Sequence, residues 1–169
     1  MSNSTFSGPL RSESTLKTVS KNASTGAITE VTTLGDGPVS LSDGDVTLTN
    51  ATHSGRILLV PDGTQDNTYT LPAPIAGSVF RFVYAGGAAD ATDAIILTPG
   101  NTNFYIGGIT FHDQDGNEIS SVFSDGNSNS KITLTDFGVF EINILAKDST
   151  NYYIWGYAEG ADAPAFADQ

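Results

Sequence analysis

The sequence predicts an all-β chain: a β-sandwich or jelly-roll-like body carrying an extended N-terminal arm. Three observations lead there. Apolar and polar residues alternate with period two. Phe140, Ile142 and Ile144 oppose Glu141 and Asn143, and Ile132 and Leu134 oppose Lys131, Thr133 and Thr135, the pattern of strands with one buried face. Glycine, proline, asparagine and aspartate separate nearly all of these segments, as turn chemistry between short strands does. No window sustains the i, i+3, i+4, i+7 apolar spacing with caps that a long helix requires.

Taken in order, residues 1–15 are rich in Ser, Thr, Asn and Gly around Phe6, Pro9 and Leu10, too polar to form a core of their own. Leu16–Ser20 and Ala27–Thr33 read as short strands about a turn from Asn22 to Gly26, because β-branched residues there alternate with polar ones. Gly35-Asp36-Gly37-Pro38 then punctuates the chain. The expected division is an arm over residues 1–35, a sandwich body over 36–158, and a flexible C-terminal tail over 159–169. Within the body, strands are expected at Val39–Leu41, Asp45–Thr49, Arg56–Val60, Thr68–Leu71, Ser78–Tyr84 and Ala94–Thr98. They continue at Asn103–Phe111, Ile119–Phe123, Lys131–Thr135, Val139–Ala146 and Tyr152–Tyr157.

A chain of 169 residues suits one globular domain with extensions. It contains no cysteine, which removes disulfides, thiolate nucleophiles and cysteine-based zinc sites and fits assembly in a reducing cytoplasm. No apolar run approaches the roughly 20 residues that span a bilayer, so the chain reads as soluble and unprocessed. Residues 1–31 carry Arg11, Lys17 and Lys21 against Glu13 and Glu30, a sum of +1, so the remainder carries −13 and accounts for more than the net −12. An acidic body repels phosphate backbones and anionic lipid, which disfavours nucleic acid and membranes as partners. The near-neutral arm can instead lie against a protein surface that the body avoids.

The familiar chemical grammar is missing. There is no glycine-rich phosphate loop, no Gly-x-Ser-x-Gly elbow and no His-Glu-x-x-His pair. A Ser-His-Asp relay is composable only on paper from His112 with Asp113 or Asp115, His53 being the other histidine. The run Asp113-Gln114-Asp115-Gly116-Asn117-Glu118 has the alternating oxygen donors of a calcium loop, but its sixth position is Glu118 rather than Gly and its twelfth is Ser124 rather than Glu. It reads as a hairpin turn, and Asp125-Gly126-Asn127 repeats the device. The expectation is a protein that is no enzyme and holds no metal or cofactor. Phe80, Phe82 and Tyr84 share one strand face, and Tyr153, Trp155 and Tyr157 share another. Both read as core and rim packing, with a sugar-stacking platform around Trp155 as the alternative.

Several motifs carry a resemblance. These are the Gly55–Val60 strand, the Leu71-Pro72-Ala73-Pro74 turn with Ala76-Gly77, the aromatic Phe80–Tyr84 strand, Ile95-Ile96-Leu97, Gly107-Gly108 and the closing strand with Trp155. Together, from about Gly55 to Tyr157, the chain resembles a β-module recurrent in tailed-phage virion proteins. Thr5–Ser12 is similar to openings of structural proteins from marine tailed phages, especially those of cyanobacteria. The resemblance implies a head decoration (cement) protein. Such a protein would be a homotrimer on the outer surface of the icosahedral capsid, assembled in the host cytoplasm, with arms tying major capsid protein subunits together. A tail or fibre-associated adhesin binding host glycan is the alternative. The residues expected to attach the arm are Phe6, Pro9, Leu10, Arg11, Leu16, Lys17, Val19, Ile28 and Val31. Strand addition would seat Leu16 and Val19, or Ile28 and Val31, in apolar pockets of the partner.

Overall fold

A computed structural model describes residues 18–31, 37–87 and 91–169. The chain divides into two units, Met1–Asp36 and Gly37–Gln169. In the first, β1 (Thr18–Lys21) and β2 (Ile28–Val31) form an antiparallel two-stranded sheet. Asn22 builds the turn between them. Its side-chain oxygen accepts from the amides of Ser24 at 2.9 Å and Thr25 at 3.0 Å. Gly26 then takes φ +73°, a value that favours glycine.

The second unit is an all-β sandwich of two mixed sheets. Its elements are β3 (Val39–Ser40), β4 (Val46–Thr47), a single helical turn α1 (Asn50–His53), β5 (Arg56–Val60), β6 (Asn67–Thr70), β7 (Val79–Tyr84), β8 (Ala94–Leu97) and β9 (Phe104–Asp113). There follow β10 (Ile119–Phe123), β11 (Lys131–Leu134), β12 (Phe137–Ala146), β13 (Asn151–Gly160) and β14 (Ala165–Ala167). The seven-stranded sheet has the order β10-β9-β13-β12-β7-β5-β3, and the five-stranded sheet β14-β11-β8-β6-β4. From β3 to β8 the chain alternates between the sheets. β3, β5 and β7 therefore stack in parallel in one sheet, and β4, β6 and β8 in the other. Antiparallel strands close this coil, so the pairing is mixed rather than the wholly antiparallel pairing of a jelly roll.

Aspartates stitch successive turns of the coil. Asp45, just before β4, accepts from the amide of Thr68 at 3.0 Å, and Asp66, just before β6, accepts from that of Asp93 at 2.9 Å. The Leu71-Pro72-Ala73-Pro74 segment passes from β6 in one sheet to β7 in the other, and it is held at several points. Asn50 Nδ2 donates to Ala73 O at 3.1 Å, Gly77 N donates to Ala146 O at 2.9 Å, and the Tyr152 hydroxyl donates to Pro72 O.

The core lies between the sheets. Leu58, Phe80, Phe82, Tyr105, Ile142, Ile144 and Tyr152 of the seven-stranded sheet meet Tyr69, Ile96, Ile132 and Leu134 of the other, all essentially inaccessible. Burying each such side chain contributes about 1.5–3 kcal/mol. Phe137 packs edge-on against Phe140 and Tyr84, with centroids 4.9 and 5.0 Å away.

Two expectations are corrected. Residues 159–169 are not a flexible tail: β13 runs to Gly160, and β14 pairs with β11 from Thr133↔Ala165 to Lys131↔Ala167. Phe166 packs 6.2 Å from Tyr105, and Gln169 Nε2 donates to Thr98 O at 2.9 Å. A large aromatic with core to cover and a sheet edge with unpaired amides hold the segment in place. The Asp125 loop, in turn, is not a hairpin, since β10 and β11 belong to different sheets. Its carboxylate instead accepts from the amides of Asn127, Ser128 and Asn129.

Candidate functional site

One face of β13 is core and the other is open. Tyr152, Ile154 and Ala158 point inward, while Tyr153, Trp155 and Tyr157 are 40%, 46% and 46% exposed. The reading of this aromatic row as core and rim packing is therefore corrected: both faces of β13 are apolar, and the sandwich takes the one bearing Tyr152 and Ile154. Spaced by two residues, the exposed rings repeat every ~7 Å along the strand.

Register extends the row into a field. Trp155 pairs with Asn143, Asn143 with Arg81, and Arg81 with Ile57, while Tyr157 is flanked by Glu141 and Thr110. On the far side Phe123 pairs with Gly108 and Ile119 with His112. A Cβ at Gly108 would stand 2.6 Å from the Phe123 ring, so only glycine lets that ring lie over the strand. Ile119 and Phe123 are 68% and 70% exposed and Ile57 is 38% exposed. From β10 to β5 the field is about 25 Å wide at the usual strand spacing.

Its charges are paired or bordered by polar groups. Arg81 Nη2 donates to Glu141 Oε2 at 2.9 Å, and Asn143 Nδ2 donates to Glu141 Oε1 at 3.2 Å. The Arg81 hydrogen bond, then that from Asn143, holds the Glu141 carboxyl below its ordinary range. Lys147 Nζ stands 5.6 Å from the centroid of the Tyr153 ring, a cation–π contact. At one corner a hollow of about 310 Å³ is lined by Thr110, His112, Ile119, Tyr157, Ala158 and Glu159, with Gln114 Nε2 donating to Glu159 at 3.0 Å. Such a surface can stack flat apolar groups and offer hydrogen bonds at its rim.

Two of the candidates for catalysis and metal, Asp113 and His53, are engaged locally. Asp113 Oδ1 accepts from the amides of Asp115 and Gly116, both at 2.9 Å, and thereby shapes the β9–β10 turn. His53 Nδ1 accepts from Thr49 N at 3.0 Å at the start of α1. Among the described residues, no three His, Cys, Asp or Glu side chains are grouped to hold a metal ion.

Of the attachment residues expected in the arm, Phe6, Pro9, Leu10, Arg11, Leu16 and Lys17 lie outside the described residues. Val19 lies on β1, and Ile28 and Val31 lie on β2. Val19 is opposite Glu30, Ile28 opposite Lys21 and Val31 opposite Thr18. Sequence reasoning gave Ile57, Ile119 and Phe123 no role, because only strand order brings them onto one surface. No family model matches the chain, and no curated protein matches it.

Proposed function

We propose that this is a non-catalytic virion structural protein, which decorates the outer surface of a tailed-phage head as a homotrimer and ties major capsid protein subunits together. The observation that carries the reading is the outer face of the seven-stranded sheet, with Ile57, Ile119, Phe123, Tyr153, Trp155 and Tyr157 exposed together on a chain of net charge −12. An exposed aromatic row with polar groups and a paired charge beside it fits a contact surface better than a reaction centre. Copies of so acidic a chain repel one another, and association is least costly where charge cancels. A face on which Arg81 pairs with Glu141 and Lys147 covers Tyr153 meets that requirement. The resemblance to phage virion modules supports a virion protein. The β1–β2 ribbon, with an outer edge on each strand, supports strand addition by the arm.

A second reading, a tail or fibre adhesin for host glycan, is favoured by the Tyr153-Trp155-Tyr157 row with Asn143, Glu141 and Thr110 beside it. One experiment separates the two. Full-length protein is mixed with undecorated expanded capsids and with host cells, and its mass in solution is measured by light scattering. Capsid co-sedimentation with a trimer mass is expected. Cell binding that host polysaccharide competes away, without capsid binding, replaces the first reading with the second.

A further inference from the structure

Strand direction sorts the body's charges by end. The connections β3–β4, β5–β6, β7–β8, β9–β10, β11–β12 and β13–β14 all turn at one end of the sandwich. Each of the six carries at least one carboxylate, from Asp43 in the first to Asp162 in the last, and none carries a lysine or arginine. The opposite end holds Arg56, Lys131 and Lys147 against Asp125, Asp148 and Asp168. Lys147 and Asp148 lie 3.8 Å apart, and the Asp125 carboxylate is occupied by its own loop amides. The body is therefore strongly acidic at one end and balanced at the other.

Two further features fall at the balanced end. The chain enters the body there, at Gly37, whose carbonyl accepts from Arg56 Nη2 at 2.6 Å. Two strands along the sheet, about 10 Å away, the 71–78 turn presents Ile75, 60% exposed. Pro72 and Pro74 fix its backbone, and the bonds from Tyr152, Asn50 and Gly77 pin it from three sides. A rigid apolar tip binds with little ordering cost.

Resting on the decoration reading above, we propose that the body docks end-on. Ile75 and the 71–78 turn seat against the capsid protein surface, and the acidic end faces solvent. The arm then leaves the body where the partner is, and the acidic loops, which would meet repulsion on any acidic surface, stay clear of it.

The test is co-sedimentation of the full-length protein with expanded capsids, comparing wild type, Ile75→Asp, and a triple variant at the other end, Asp62→Asn with Asp115→Asn and Asp162→Asn. All four positions are exposed, and circular dichroism reports whether each variant folds. Ile75→Asp is expected to weaken binding at least about tenfold, as loss of an interface anchor does, and the triple variant to stay within about twofold of wild type. Wild type that fails to bind capsids overturns the decoration reading and this inference with it. Wild type that binds, with Ile75→Asp binding equally well or the triple variant binding far less, overturns the end-on geometry alone.

Discussion

The two faces of β13 come from the same ten residues and the same alternation, yet they serve opposite ends. Inward, Tyr152, Ile154 and Ala158 are closed off by the second sheet; outward, Tyr153, Trp155 and Tyr157 stay open to water. The inner face answers to packing, where shape and volume decide stability. The outer face is as apolar but stays exposed, so packing between the sheets does not account for its composition. The contrast teaches that hydrophobicity alone does not identify a core. A core is the apolar face that another layer of the same chain covers.

The strongest test of this contrast is on the inner face. Phe82 is fully buried, 6.0 Å from the Tyr69 ring across the sandwich. Phe82→Ala should lower unfolding free energy by about 3–5 kcal/mol, through lost burial and the cavity left behind. Urea unfolding measures it, and a loss below about 1 kcal/mol would mean that the two faces are not energetically distinct.

The next effect lies between the faces. Gly156 separates Trp155 from Tyr157 and takes φ +151°, and a Cβ there would stand 2.1 Å from the Glu141 carbonyl oxygen of β12. Backbone cannot yield as a side-chain tip does. Gly156→Ala should therefore cost about 2–3 kcal/mol and disturb the spacing of the aromatic row. An unchanged urea midpoint would show that the β12–β13 pairing tolerates the shift.

How far this was legible in the sequence depends on how local each feature is. Period-two alternation at Ile132, Leu134, Phe140, Ile142 and Ile144 predicts the strands and their buried face, and all five are buried. Arg56–Val60 and Ile119–Phe123 match the expected strands end to end. In β13 the same rule says only that Tyr153, Trp155 and Tyr157 share a face, because Tyr152 and Ile154 make the other face equally apolar. The choice between them is tertiary. The parallel coil is likewise invisible locally: β5 pairs with β7 across a strand that sits in the other sheet. β14 went unread because Ala165-Phe166-Ala167 is too short to alternate, and it forms only against the β11 edge. The acidic end is fully written in the sequence, yet it becomes an end only once strand directions are known.

A smaller effect is expected from the ion pair of the outer face. Arg81 and Glu141 are 2.9 Å apart with side chains 44% and 27% exposed, and exposed pairs contribute about 0.2–1 kcal/mol. The folded-state pKa of Glu141 is depressed, so its stabilisation is present above the unfolded value of about 4.3 and is lost as pH falls through that value toward the lower folded one. Glu141→Gln should thus be slightly less stable than wild type at pH 7, and the difference should shrink as pH falls below about 4.3. A difference that persists in acid would assign the effect to the Asn143 contact rather than to charge.

The smallest effect on stability, and the largest on binding, is expected at Trp155. Its ring is nearly half exposed, and its register neighbour is Asn143 on β12. Trp155→Thr keeps a β-branched residue suited to a strand and removes the stacking area without opening a buried cavity. Unfolding free energy should therefore stay within about 0.5 kcal/mol of wild type. Binding energy at a contact surface concentrates in such aromatic anchors, so association through this face should weaken by about tenfold or more. Light scattering reads the loss if the occupant is a second copy of the chain, and glycan-array or cell binding reads it if the occupant is a sugar. A variant that is markedly destabilised would return Trp155 to the packing of the fold. One that is stable and associates as wild type does would leave the exposed row without a partner on either reading.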